Sequence, residues 1–185
     1  MKNFIILFII FFLFIACQQK QERIIESVEV LYYNGIFERI IPVGCDEIIC
    51  NPLKMPHLVF LEDGTQVPQE AYILDTIITN KKILQEIDNE LKLTKHTKDC
   101  GVDARMKCYI KFTDGSIDSL CLDAPPTYGY FNEKPTRFTN KFAFLIRKNC
   151  GFYKWIGYDY MKYLEELNDS TFVREKVISI WGEEY

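Results

Sequence analysis

Histidine is scarce in this chain: His57 and His96 are the only two in 185 residues, and neither stands in a metal-binding or catalytic spacing. H-E-x-x-H, G-x-S-x-G, G-x-x-x-x-G-K-[ST] and G-x-G-x-x-G are all missing, which takes the commonest hydrolases and nucleotide enzymes out of first consideration. C-x-x-C is missing too, and with it the usual signature of a thioredoxin-type redox site or a zinc ribbon. There is no basic excess. Lysine and arginine number 22 against 26 acidic residues, a net charge of −4, and they are scattered among carboxylates. A protein that grips phosphate backbones shows a basic face, so nucleic acid is not an expected partner. No Gly/Ser/Pro-rich linker, internal repeat or low-complexity stretch divides the chain.

The one long apolar run is at the start. After Lys2 and Asn3, residues Phe4 to Ala16 are uncharged and free of proline, a stretch of 13. As a helix it would reach about 20 Å at ~1.5 Å per residue, short of the ~30 Å hydrocarbon core of a bilayer. A basic start, a short apolar middle and a small residue at the exit are the parts of a secretory signal. The exit, Phe14-Ile15-Ala16-Cys17, resembles a bacterial lipobox. The resemblance covers residues 1–17 only and implies cleavage before Cys17 with a diacylglycerol and an acyl chain on that cysteine. More than one acyl chain gives stable anchoring, so membrane is an implied partner and no other cofactor is. The following Gln18-Gln19-Lys20-Gln21-Glu22-Arg23 is polar and suits a flexible tether. No acidic run follows Cys17, which favours the periplasm-facing side of the outer membrane over the cell surface. The expected organisation is therefore a signal over 1–16, a tether over 17–23 and one globular domain over 24–185.

Losing Lys2 with the leader shifts the net charge from −4 to −5. The domain is rich in aromatics, with 11 tyrosines and both tryptophans in it, and is long enough to bury about two-thirds of its unfolded surface. Beyond Cys17 six cysteines remain: Cys45, Cys50, Cys100, Cys108, Cys121 and Cys150. An even number in an exported chain points to disulfides, with 15 possible full pairings.

The apolar patterning predicts an α+β domain, mainly an antiparallel sheet with two or three packed helices. Val28–Tyr33 and 36–43 flank Asn34-Gly35 and suggest a first hairpin. A second, shorter one is suggested by 58–61 and Gln66-Val67 around Asp63-Gly64. A strand over 73–79 leads into an amphipathic helix over 81–93, capped by Thr79 or Asn80. Arg105–Phe112 and Ile117–Leu122 flank Thr113-Asp114-Gly115-Ser116, the clearest turn in the chain. A two-residue loop there would pair Cys108 with Cys121 at disulfide distance. A three-residue loop with a bulge at Gly115 would shift the register by one and separate them. Residues 124–137, with three prolines, are expected to be irregular. Strands are expected over 142–147 and 151–156, a helix over 159–167, and either state over 171–181.

Chemistry has few candidates, and no catalytic residue or metal ligand is assigned. His96, Asp99, Cys100 and Asp103 cluster in a polar stretch, but without zinc spacing they describe a surface loop. Asp46 and Glu47 lack the oxygen spacing of a calcium loop. The aromatic Tyr128, Tyr130 and Phe131 are the candidate binding surface, because tyrosine offers rigid contact area with a polar tip. A second group, from Phe152 to Tyr160, reads mainly as core. The expectation is a lipid-anchored envelope protein, a non-enzymatic module for a protein, peptide or glycan. The alternatives are an envelope hydrolase using acids among Asp99, Asp103, Asp118 and Asp123, and an inhibitory or structural lipoprotein.

Overall fold

The computed structural model describes residues 23–33, 44–48, 55–60, 66–71, 73–98, 101–123 and 127–185. Cys17, the leader and the tether up to Glu22 lie outside the described residues, as do Asp99 and Cys100. The order along the chain is β1 (Ile25–Tyr33), a 3-10 turn (Cys45–Glu47), β2 (Met55–Phe60), β3 (Gln66–Ala71), β4 (Ile73–Ile78), α1 (Lys81–Leu91), β5 (Lys95–His96), β6 (Ala104–Phe112), β7 (Ile117–Asp123), β8 (Tyr128–Phe131), β9 (Lys134–Arg137) and α2 (Asn140–Cys150). A second 3-10 turn (Phe152–Trp155) and two single-turn helices, α3 (Tyr158–Met161) and α4 (Glu165–Asn168), complete it.

Seven strands form one sheet in the order β4-β1-β6-β7-β8-β9-β5, all antiparallel; β2 and β3 pair separately. The domain is thus α+β, with helices against one face of a mainly antiparallel sheet. Strand alternation sorts the side chains. Val28, Val30 and Tyr32 of β1, Met106, Cys108 and Ile110 of β6, and Leu120 and Leu122 of β7 join α1 and α2 in the main core. Helix α1 begins at Asn80, whose side chain accepts hydrogen bonds from the Lys82 and Ile83 amides, and it buries Leu84 and Ile87.

Several expectations are corrected here. Residues 142–147 are the middle of α2, not a strand. Thr139 caps the helix by accepting from the Phe142 amide at 3.0 Å, and Gly151 ends it at φ 84°, a left-handed stop that glycine takes without steric cost. The helix is buried nearly all round, from Phe142 to Arg147, because α1, α4 and the segment around Phe172 cover what the sheet does not. A helix greasy on every side shows no 3.6-residue period to read. The expected strand over 151–156 is the 3-10 turn. The segment expected to be irregular contains the β8–β9 hairpin, closed by Asn132 and Glu133, both at positive φ (46° and 66°), the two-residue geometry that matches strand twist. Of the expected helix over 159–167, α3 and α4 keep one turn each. Residues 171–181 are mostly irregular, with a bridge from Ile178 to Glu184.

Both edges of β1 are occupied, by β4 over Val28–Tyr33 and by β6 over Ile25–Tyr32. No edge is left along Val28–Tyr32 for the hairpin expected with 36–43, and residues 36–43 lie outside the described ones. Between β6 and β7 the three-residue alternative holds. Gly115 sits at φ 82°, Lys111 pairs with Ile117, and Lys107 rather than Cys108 faces Cys121. Cys108 therefore points into the helix-side core as a free thiol, and Cys121 points to the opposite face, where it is bonded to Cys45. A one-residue slip in register exchanges the faces of a strand, so the Cys108–Cys121 bridge that a two-residue loop would allow does not form.

Candidate functional site

The sheet face away from the helices carries a different set of residues: Glu29, Leu31 and Tyr33 from β1, Lys107, Tyr109 and Lys111 from β6, Ser119 and Cys121 from β7, and Tyr128 and Tyr130 from β8. Part of it is covered by the segment 44–48. The Cys45–Cys121 disulfide joins residues 76 apart in sequence and holds this segment to β7. Ile48 is fully buried there with Leu31, Tyr33, Ala104 and Cys121, a small second core.

Beside this pinned segment a cleft of about 310 Å³ opens. Its apolar lining comes from the Cys45–Cys121 disulfide and Tyr130; its polar groups are Asp46, Lys107, Ser119 and Glu133. Lys107 Nζ lies 3.5 Å from the exposed Asp46 carboxylate and 5.6 Å from the centre of the Tyr109 ring. The turn that carries Glu133 is tied to the same strand, because the Asn132 amide donates to the Ser119 carbonyl (2.8 Å) and the Ser119 amide to Asn132 Oδ1 (2.9 Å). Every polar wall is therefore fixed to the sheet by a disulfide, an ion pair or a turn. An apolar floor with donors and acceptors at its rim suits a ligand that has one apolar face and several polar edges.

The three aromatics singled out from the sequence do not form one surface. They lie on a strand rather than a loop, so alternation splits them. Tyr130 lines the cleft. Tyr128 is on the same face, with the Arg137 guanidinium 5.2 Å from its ring centre. Phe131 is turned to the other side and packs on the main core. In the later aromatic group Phe152 and Tyr153 are buried, while Trp155 and Tyr160 are exposed.

Of the candidate acids, Asp99 lies outside the described residues, Asp118 stands apart, and Asp103 and Asp123 are neighbours. Asp118 is buried at the helix-side end of β7, where it accepts from Arg23 Nη1 at 2.8 Å and Asn132 Nδ2 at 2.9 Å. Asp123 Oδ2 accepts from the Asp103 amide at 3.3 Å, and the Asp103 carboxylate is paired with the buried Arg105. His96 is on the edge strand β5, its Nδ1 3.2 Å from Thr136 Oγ1. Among the described residues no group of three or more His, Cys, Asp or Glu side chains converges on a point that could hold a metal ion.

A different polar cluster, invisible in the sequence, lies inside the helix layer. Arg147 and Glu166 are both buried and form an ion pair. The hydroxyl of Tyr153 donates to Glu166 Oε1 at 3.1 Å, and Arg147 Nη2 donates to the Asp123 carbonyl. Burial works against the Arg147 charge, yet Glu166 and the neighbouring groups hold its pKa above the ordinary value. Burial drives the Tyr153 hydroxyl well above its usual pKa, and the Glu166 carboxylate adds to this. Burial likewise raises the nearby Cys150 thiol to about 12. Enclosed this way, the cluster orders the helix layer and presents nothing to a ligand.

No helix among the described residues is long and apolar enough to cross a membrane. No protein-family model matches the chain, and no curated protein or solved structure matches it.

Proposed function

We propose that the chain is a lipid-anchored cell-envelope protein, held through Cys17 on the periplasm-facing side of the outer membrane. Its domain serves as a non-enzymatic binding module for a glycan or peptide. The observation that carries the binding reading is the cleft beside the Cys45–Cys121 disulfide, where Tyr130 supplies an apolar surface and Lys107, Ser119 and Glu133 supply polar groups around it. A sugar ring or an extended peptide has the matching combination of an apolar face and hydrogen-bonding edges. Catalysis by paired acids has less support, since Asp118 is engaged by Arg23 and Asn132 away from the cleft.

Two measurements test this. Cys17→Ser should move the chain from the membrane to the soluble fraction; unchanged partitioning would remove the anchor. Screening the purified full-length protein against envelope glycans and peptides should yield a ligand whose affinity falls at least about tenfold (~1.4 kcal/mol) in Tyr130→Ala and Lys107→Ala, with unfolding midpoints kept. Ligands that bind both variants as well as the parent would refute the cleft as the site.

A further inference from the structure

We propose that the end of the sheet bearing Ile24 and Ile117 is the part of the domain that faces the lipid surface; this rests on the anchor at Cys17 argued above. The first described residue, Arg23, is fastened where the chain enters the fold. Its guanidinium lies 3.6 Å over the ring of Phe112, and it donates to Ser116 Oγ and Asp118 Oδ2, each at 2.8 Å. The hydrogen bond to Asp118 holds its pKa above the ordinary value even though burial opposes it. One residue on, the Ile24 carbonyl accepts from the Thr113 amide at 2.9 Å. Arg23, the residue that follows the expected lipidated segment, is thus held at the β6–β7 turn.

Six peptide steps separate Cys17 from Arg23, and they span at most about 21 Å whatever their conformation. Arg23 is therefore kept within that distance of the acylated cysteine, and the β6–β7 turn that its side chain grips is the part of the fold next to it. At this same end Ile24 is 55% exposed and Ile117 is 56% exposed. Both lie on the helix-free face, since their neighbours Ile25 and Asp118 are buried on the other. Lys111 stands between them on β6, paired with Glu29 at 2.8 Å. Two aliphatic side chains beside a lysine, at the point where a short lipidated tether ends, fit contact with the interfacial layer of a bilayer.

The placement narrows what the cleft can meet. Ser119 and Cys121 follow Ile117 along β7 by two and four residues, roughly 7 and 13 Å at ~3.3 Å per residue. The cleft then opens close to the headgroups, and its ligand is a glycan or peptide segment lying at the membrane surface.

The test uses the full-length lipidated protein on vesicles of phosphatidylethanolamine and phosphatidylglycerol, with a photoreactive phenylalanine analogue placed at position 117, 173 or 181. Val173 and Trp181 are exposed and follow Phe172, which packs on Phe144 of α2 in the helix layer. Lipid adducts at 117 and not at 173 or 181 are the expected result. A protein that floats with the vesicles yet forms its adducts at 173 or 181, or none at 117, overturns the orientation and leaves the anchor standing. A protein that fails to float, with Cys17→Ser behaving identically, overturns both.

Discussion

The Arg147–Glu166 pair allows a quantitative prediction, because both side chains are almost wholly buried and their partners are known. Glu166→Leu leaves a buried guanidinium without its ion-pair partner, and leaves the Tyr153 hydroxyl without its acceptor. Breaking a buried pair from one side costs about 3–5 kcal/mol, and an orphaned hydroxyl adds about 1–3 kcal/mol. A loss near 5 kcal/mol is a large part of the ~5–15 kcal/mol available to a domain. Arg147→Met should also destabilise, since it strands the buried Glu166 carboxylate without its guanidinium partner. The double variant Arg147→Met/Glu166→Leu removes both charges and retains apolar volume, so it should be more stable than Glu166→Leu alone. Urea unfolding of the four proteins, followed by tyrosine and tryptophan fluorescence, closes the cycle. Strict additivity, with the double variant losing the sum of the singles, would refute the claim that the two charges depend on each other.

Removing the Cys45–Cys121 bond by Cys45→Ala should lower stability by up to about 4 kcal/mol, the loop-closure value for its sequence separation, with the loss read from thermal unfolding; an unchanged Tm would contradict it. Stability should also fall with rising pH above about 9. The folded-state pKa values of Cys150 (about 12) and Cys108 are raised by burial above that of an unfolded thiol, so the unfolded chain releases protons first, and the stabilisation present at neutral pH is lost on the alkaline side. Cys150→Ala should reduce the slope between pH 9 and 12 by about 1.4 kcal/mol per pH unit, and identical slopes in pH-dependent urea titrations would sink the argument. Gly115→Ala should cost about 1 kcal/mol by strain alone, as its φ is 82° and nothing lies within 4 Å. Gly129→Ala should cost about 3 kcal/mol or more, because a Cβ there would stand 1.8 Å from the Cys121 carbonyl oxygen; chemical denaturation of the two variants would reveal any reversal of that order.

Those elements whose determinants are close in sequence were legible. Asn80 ahead of the periodic Ile83, Leu84 and Ile87 marks α1, and Asp114-Gly115 marks the β6–β7 turn. Elements set by distant partners were not. The 142–147 run is apolar on every side because other parts of the chain enclose α2, and such a run reads equally well as a buried strand. Its ends held the missed information: Thr139 before it and Gly151 after it stand 12 residues apart, a helical rather than a strand length, with residue types that suit the two caps. The β8–β9 hairpin is hidden by the three prolines of 124–137, since proline usually interrupts a strand. Proline is tolerated because β9 lies next to the two-residue edge strand β5 and offers the Pro135 carbonyl to the Thr97 amide at 3.0 Å.

The candidate site shows the same limit one level up. Tyr130 could be picked out as a recognition residue from its type, but Lys107, Ser119 and Asp46 gained meaning only when the register of β6 against β7 was known. Sliding that pairing by one residue would turn Cys121 into the helix-side core and bring it opposite Cys108. Gly115 decides between the two arrangements, since its left-handed backbone permits the bulge that sends Cys121 to the other face. There it meets Cys45, 76 residues away in sequence, and the segment that this bond pins becomes a wall of the cleft. One turn residue thus determines which thiol is oxidised, which face of the sheet stays open and where a ligand can sit.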